Sequence, residues 1–155
     1  MHLAVGDQAI LLIAMVLAVG MVAACVMVHY EALRLASIFM PRLTIRPRKR
    51  ILFLIGAAFA AHSVEVWICA ILFYILAWLG LGGLAGQSGH TFHDFLYYST
   101  VSYTSLGLGD VYPTGVLRML TGVEALLGLA MIAWTGSFTY LAMEKFWSLH
   151  RTWGE

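Results

Sequence analysis

Apolar and polar positions divide the chain into three long apolar runs and one short, interrupted stretch. A bilayer core about 30 Å thick is crossed by roughly 20 helical residues. Ala9 to Val28 is a run of that length with no charged side chain. Ile51 to Leu79 is a second, with His62 and Glu65 as its ionisable interior residues. A third begins at Val116 and reaches Trp147, with Glu124 in its interior. Between the second and third, the chain opens on Gly80, Gly82, Gly83 and Gly86 and is too short and too polar to cross. Irregular backbone is tolerated at membrane depth only where protein or a water-filled cavity surrounds it, so this stretch reads as a re-entrant segment. The pattern predicts an all-α membrane protein of three transmembrane helices, with a re-entrant helix and loop between the second and third.

Finer features place the smaller elements. Thr91, Phe92, His93 and Asp94 have the form of a helix start, with Thr91 as cap and Asp94 in the first turn. A short helix is expected over 91–103. Gly107 and Gly109 then alternate with Leu106 and Leu108. Alternating glycines permit backbone conformations that let successive carbonyls point one way, and such a row can replace the hydration shell of a monovalent cation. Upstream, Leu33, Leu35, Ile38 and Phe39 stand beside Glu31 and Arg34, and Pro41 and Pro47 bar a continuous helix. The linker 31–50 is thus either an extension of the first helix (1–30) or a helix lying on the interface.

Composition removes the soluble classes. With 61% hydrophobic and 11% charged residues, the chain is too apolar for a soluble globule. The placement of its nine Lys and Arg says more than the net charge of +1. Arg34, Arg42, Arg46, Arg48, Lys49 and Arg50 lie between the first and second runs, Lys145 and Arg151 follow the third, and the loop between spans two and three holds only Arg118. The positive-inside rule then predicts an amino terminus outside, a cytoplasmic linker and a cytoplasmic tail at 148–155, in a multi-pass plasma membrane. Arg46, Arg48, Lys49 and Arg50 act first as a topology signal, and the same cluster suits anionic lipid headgroups. No basic patch for nucleic acid is on offer. Cys25 and Cys69 lie in apolar runs, where each is a small buried hydrophobe. Val22 to Cys25 looks like a lipoprotein cleavage box, but the basic beginning of a signal peptide is missing and cleavage would leave the basic linker outside.

The stretch from Tyr97, Tyr98 and Ser99 through Asp110, Val111, Tyr112, Pro113 and Thr114 resembles the pore helix, filter and exit of tetrameric potassium channels. That family's filter reads Thr-Thr-Val-Gly-Tyr-Gly-Asp, matched here at Thr104, Gly107, Gly109 and Asp110, with Ser105 conservative. The resemblance covers 51–147 and leaves the first span and linker outside the minimal two-helix unit. It implies a homotetramer with outer helix 51–79, pore helix 91–103, filter 104–110 and inner helix 116–147. Potassium ions, the permeant ligand and the only small species implied, would sit on the carbonyls of Ser105, Leu106, Gly107 and Leu108, with no other cofactor. By matching positions Tyr97 and Tyr98 support the filter, Gly128 is the inner-helix hinge or a packing glycine, and Ile132, Gly136, Ser137 and Tyr140 line the cavity. A rotation of that helix by one residue would substitute Thr135 and Thr139. Leu108 replaces the tyrosine whose hydroxyl normally tethers the filter, so its packing against Tyr97 and Tyr98 is the expected restraint. Leucine there also resembles two-pore-domain potassium channels.

The ionisable groups at membrane depth need separate accounts. His62 and Glu65 share a helix face and read as a structural hydrogen-bonded pair, since two ligands are too few for a closed zinc site. His62-x-x-Glu65, with Trp67, Ala70, Tyr74 and Gly80, also resembles small bacterial members of the family. Glu124 stands level with the pore helix and is expected to buttress the filter through Ser99, Thr100 or Ser102. No span carries an Arg or Lys series, so voltage sensing is unsupported. The leading expectation is a passive potassium-selective channel and not an enzyme. The competing readings are a non-selective cation pore of the same fold, a membrane enzyme or metal transporter using His62, Glu65 and Glu124, and a non-conducting accessory subunit.

Overall fold

The computed structural model describes residues 5–42, 44, 47–87 and 91–146. Four α-helices and a two-stranded ribbon make up the described chain: α1 (Val5–Phe39), α2 (Pro47–Trp78), β1 (Gly82–Gly86), α3 (Phe92–Tyr103), β2 (Val111–Gly115) and α4 (Leu117–Phe146). Three of the helices, α1, α2 and α4, are long and apolar enough to cross a membrane. The short α3 lies between α2 and α4 in sequence and packs against both.

The prolines act as expected. α1 ends at Phe39, a 3₁₀ turn carries Pro41, and α2 starts at Pro47, where a missing N–H costs nothing. At 1.5 Å per residue, the 35 residues of α1 extend about 52 Å, far past a bilayer core. Residues 31–39 therefore prolong the first helix and do not form a separate interfacial one. Leu33, Ala36 and Met40 bury themselves against Leu54 and Ala142, tying the end of α1 to the start of α2 and the end of α4.

The larger core lies toward the other end. Ala14, Ala18, Met21 and Cys25 of α1 meet Val66, Cys69 and Phe73 of α2, Phe95 and Tyr98 of α3, and Leu117, Leu120 and Leu127 of α4. Small side chains on α1 let the backbones approach where lipid supplies no hydrophobic drive. Both cysteines are free and buried.

The ribbon is an addition to the all-α reading. β1 pairs antiparallel with β2 in the register Gly82↔Gly115, Leu84↔Pro113 and Gly86↔Val111. Thr114 Oγ1 donates to the Gly83 carbonyl at 3.1 Å, and the Gln87 amide donates to the Asp110 carbonyl at 3.1 Å. The two ends of the re-entrant segment are thereby stitched together, and α3 with the loop after it hangs between them.

Candidate functional site

The start of α3 is held by Asp94, whose Oδ2 accepts the Thr91 amide at 2.9 Å and the Thr91 hydroxyl at 2.8 Å. The Asp94 amide in turn donates to the Thr91 carbonyl at 3.0 Å. At its other end the unpaired carbonyls capture the loop that follows. The amides of Thr104, Ser105 and Leu106 donate to the carbonyls of Thr100, Ser102 and Val101 at 3.2, 2.9 and 3.0 Å. Thr104 Oγ1 adds a bond to the Thr100 carbonyl at 2.8 Å.

Beyond Thr104 the backbone alternates. Ser105, Gly107 and Gly109 have φ of 57°, 54° and 79°, with Leu106 and Leu108 on the negative side between them. A left-handed conformation at every second residue aims successive carbonyls to one side of the strand. For the non-glycine Ser105 it costs about 1–2 kcal/mol, and such strain persists only where the surroundings impose it. All of Thr104 to Asp110 is exposed in the protomer, Leu106 at 63% and Leu108 at 60%.

The two tyrosines part company. Tyr97 OH donates to Asp110 Oδ2 at 2.8 Å, joining α3 to the far end of the loop. That hydrogen bond holds the phenol above its ordinary pKa, so it stays a donor. Tyr98 is 5% exposed, stacks near Phe73 and donates to Thr121 Oγ1 of α4 at 2.8 Å. It faces its own protomer's core and is committed to α2 and α4, while Leu108 stands exposed within the protomer.

Glu124 is fully buried and meets Ser99 through Oε1, while Ser99 Oγ also lies 3.0 Å from the Val66 carbonyl. Of Ser99, Thr100 and Ser102 the structure selects Ser99, because the Thr100 hydroxyl is spent on the Leu96 carbonyl. Gly128 faces the last residue of α3, where a Cβ would fall 2.0 Å from the Tyr103 carbonyl oxygen. Close packing thus explains this glycine, and α4 runs unbroken through it. Ile132, Gly136, Ser137 and Tyr140 all lie exposed on α4, whereas Thr135 and Thr139 are half-buried.

A second polar cluster sits beneath the end of α3. His29 Nδ1 lies 2.9 Å from Glu65 Oε1, and Tyr103 OH donates to Glu65 Oε2. His62 Nδ1 is 3.3 Å from Glu65 Oε2 and 2.9 Å from Tyr103 OH. Thr135 Oγ1 is 3.0 Å from His62 Nε2 and 3.2 Å from His29 Nε2. His62 and Glu65 do form a hydrogen-bonded pair, but Glu124 belongs to the Ser99 pairing and not to this group, so a site of His62, Glu65 and Glu124 is not assembled. The residue that sequence reasoning missed is His29. Its signal was position: an imidazole at the very edge of an apolar run, one residue past Val28.

Two spanning helices bracketing a short helix and an exposed, conformationally alternating loop define a pore-domain membrane protein. A family model described as an ion channel matches residues 53–145, which covers more than half of the chain. The chain belongs to this ion channel family, of the two-transmembrane potassium-channel type, and the family points to a transport role. No curated protein and no solved structure matches it.

Proposed function

We propose that four copies of this chain surround an axis and conduct dehydrated potassium passively through the segment 104–110. The observation that carries this reading is the alternation at Ser105, Gly107 and Gly109. The carbonyls of Ser105, Leu106, Gly107 and Leu108 then form the ion sites, with the Ser105 hydroxyl at the inner mouth, and a ring of carbonyl dipoles replaces the water of the ion. Tyr97 holds Asp110 at the outer end, Ser99 and Glu124 steady the helix behind, and Ile132, Gly136, Ser137 and Tyr140 face the cavity below. Gly128 keeps α4 close to the end of the pore helix.

In this reading the amino terminus lies outside and the carboxyl terminus inside a bacterial inner membrane. The basic segment Arg46, Arg48, Lys49 and Arg50 meets anionic headgroups on the cytoplasmic face. The deciding measurement is the reversal potential of reconstituted protein under opposed potassium and sodium gradients. A potential near that of potassium is expected. Equal permeability to the two ions would leave the non-selective cation pore as the better reading, and no current at all would favour an accessory subunit.

A further inference from the structure

The cluster beneath the pore helix draws on all four α-helices: His29 from α1, His62 and Glu65 from α2, Tyr103 from α3 and Thr135 from α4. His29 and Glu65 are fully buried, and the His62 side chain is 19% exposed. One ligand atom from each of these three lies within 4.8 Å of the others. We propose that His29, His62 and Glu65, with the Tyr103 hydroxyl as a fourth oxygen, bind a divalent transition metal of the zinc and cobalt class.

Three observations carry this assignment. The first is spacing. Zinc takes nitrogen and oxygen at about 2.0–2.2 Å in a tetrahedron, which sets its ligands roughly 3.3–3.6 Å apart. The histidine-to-carboxylate separations, 2.9 Å to Oε1 and 3.3 Å to Oε2, need open by only a few tenths of an ångström or not at all, while the Tyr103 hydroxyl, now bonded directly to Oε2, has to draw back further to become the fourth ligand. The second is the far side of the two rings. Both Nε2 atoms converge on one hydroxyl, Thr135 Oγ1, at 3.0 and 3.2 Å. A hydroxyl oxygen has two acceptor lone pairs, so it can receive Nε2–H from both rings. With both Nε2–H groups donated there, both Nδ1 atoms would present lone pairs to the Glu65 carboxylate, and a cation between them would replace the hydrogen bonds by which they otherwise meet it. An outer partner fixing the ring orientation in this way is the usual support of a metal-bound histidine. The third is access and charge. A cavity of about 560 Å³ reaches His62, Tyr103 and Thr135 between α2, α3 and α4, while a carboxylate buried at membrane depth calls for a compensating cation.

Two imidazoles, a carboxylate and a phenol form a nitrogen and oxygen set suited to zinc, cobalt or nickel and not to calcium or magnesium. The bound ion would pin α1 to the last residue of α3, one position before Thr104. The site stands whether or not the pore conducts potassium.

The test uses the full chain, purified in mild detergent without a polyhistidine tag and stripped with a chelator. Titration with Co²⁺ should give one ion per chain with the intense visible bands of tetrahedral cobalt, and Zn²⁺ should displace it. His29→Gln should abolish the bands, Thr135→Val should weaken affinity about 10- to 100-fold, and His93→Gln, on the exposed face of α3, should leave it unchanged. A native protein that shows no tetrahedral bands overturns the proposal, as does full affinity in His29→Gln. Should a variant fail to fold, zinc-edge X-ray absorption of the unmodified protein decides: two imidazole ligands support the site, and a shell of oxygen or sulfur alone sinks it.

Discussion

Leu108 cannot make the hydrogen bond that a tyrosine would make from that position, and Tyr97 makes one to Asp110 instead. A hydrogen bond of this sort contributes about 1 kcal/mol net. Tyr97→Phe should therefore lower the potassium-to-sodium permeability ratio roughly five-fold and hasten the loss of flux when external potassium is withdrawn, both read from reversal potentials. Tyr98→Phe removes a bond to Thr121 inside the protomer, so it should lower thermal stability and leave selectivity nearly intact. An unchanged ratio in Tyr97→Phe would remove this tyrosine from the account of the filter. Gly128→Ala tests packing in the same region. Its methyl would meet the Tyr103 carbonyl, with an overpacking cost of about 1–3 kcal/mol. Gly136→Ala meets open space within the protomer and should be far milder. Melting temperatures of the two variants in detergent check the contrast.

Among the elements, the helices were legible and the ribbon was not. The uncharged run 9–28, the prolines at 41 and 47 and the Thr91 to Asp94 signature each announce a boundary through local chemistry. β1 has three glycines in five residues, which gives it no strand propensity of its own. Its partner β2 begins 25 residues after β1 ends, so only the closed loop reveals the pairing. The placement of basic residues belongs to this scale as well. Reporters fused ahead of α1 should signal outside, and reporters inserted in the linker between α1 and α2 should signal inside. The reverse pattern would turn the pore upside down.

The whole protomer leaves work for other molecules. In the most apolar window of α1, α2 and α4, 24%, 28% and 33% of residues are buried. Lipid can cover the apolar remainder, but it cannot cover the polar backbone of 104–110, which is exposed throughout. Further copies of the chain set around an axis would cover it, and the proposed ring of four gives a central conduit lined by one loop from each. Native mass measurement in mild detergent should accordingly show four chains, and a stable, conducting monomer or dimer would rule this out.

Composition and periodicity determined that the chain lives in a membrane, how many times it crosses and where the re-entrant segment lies, because hydrophobic length and local start and stop signals are properties of contiguous residues. The family motif at 104–110 was readable for the same reason. Contacts between distant positions were not. His29 and Glu65 are 36 residues apart and His62 and Thr135 are 73 apart, so nothing in their neighbourhoods marks them as partners. Which side chain tethers the loop was likewise settled by the rotation of α3, which turns Tyr97 to Asp110 and Tyr98 to Thr121 although the two are adjacent in the chain. On a helix, neighbours in sequence point about 100° apart, and only packing decides which of them faces the core.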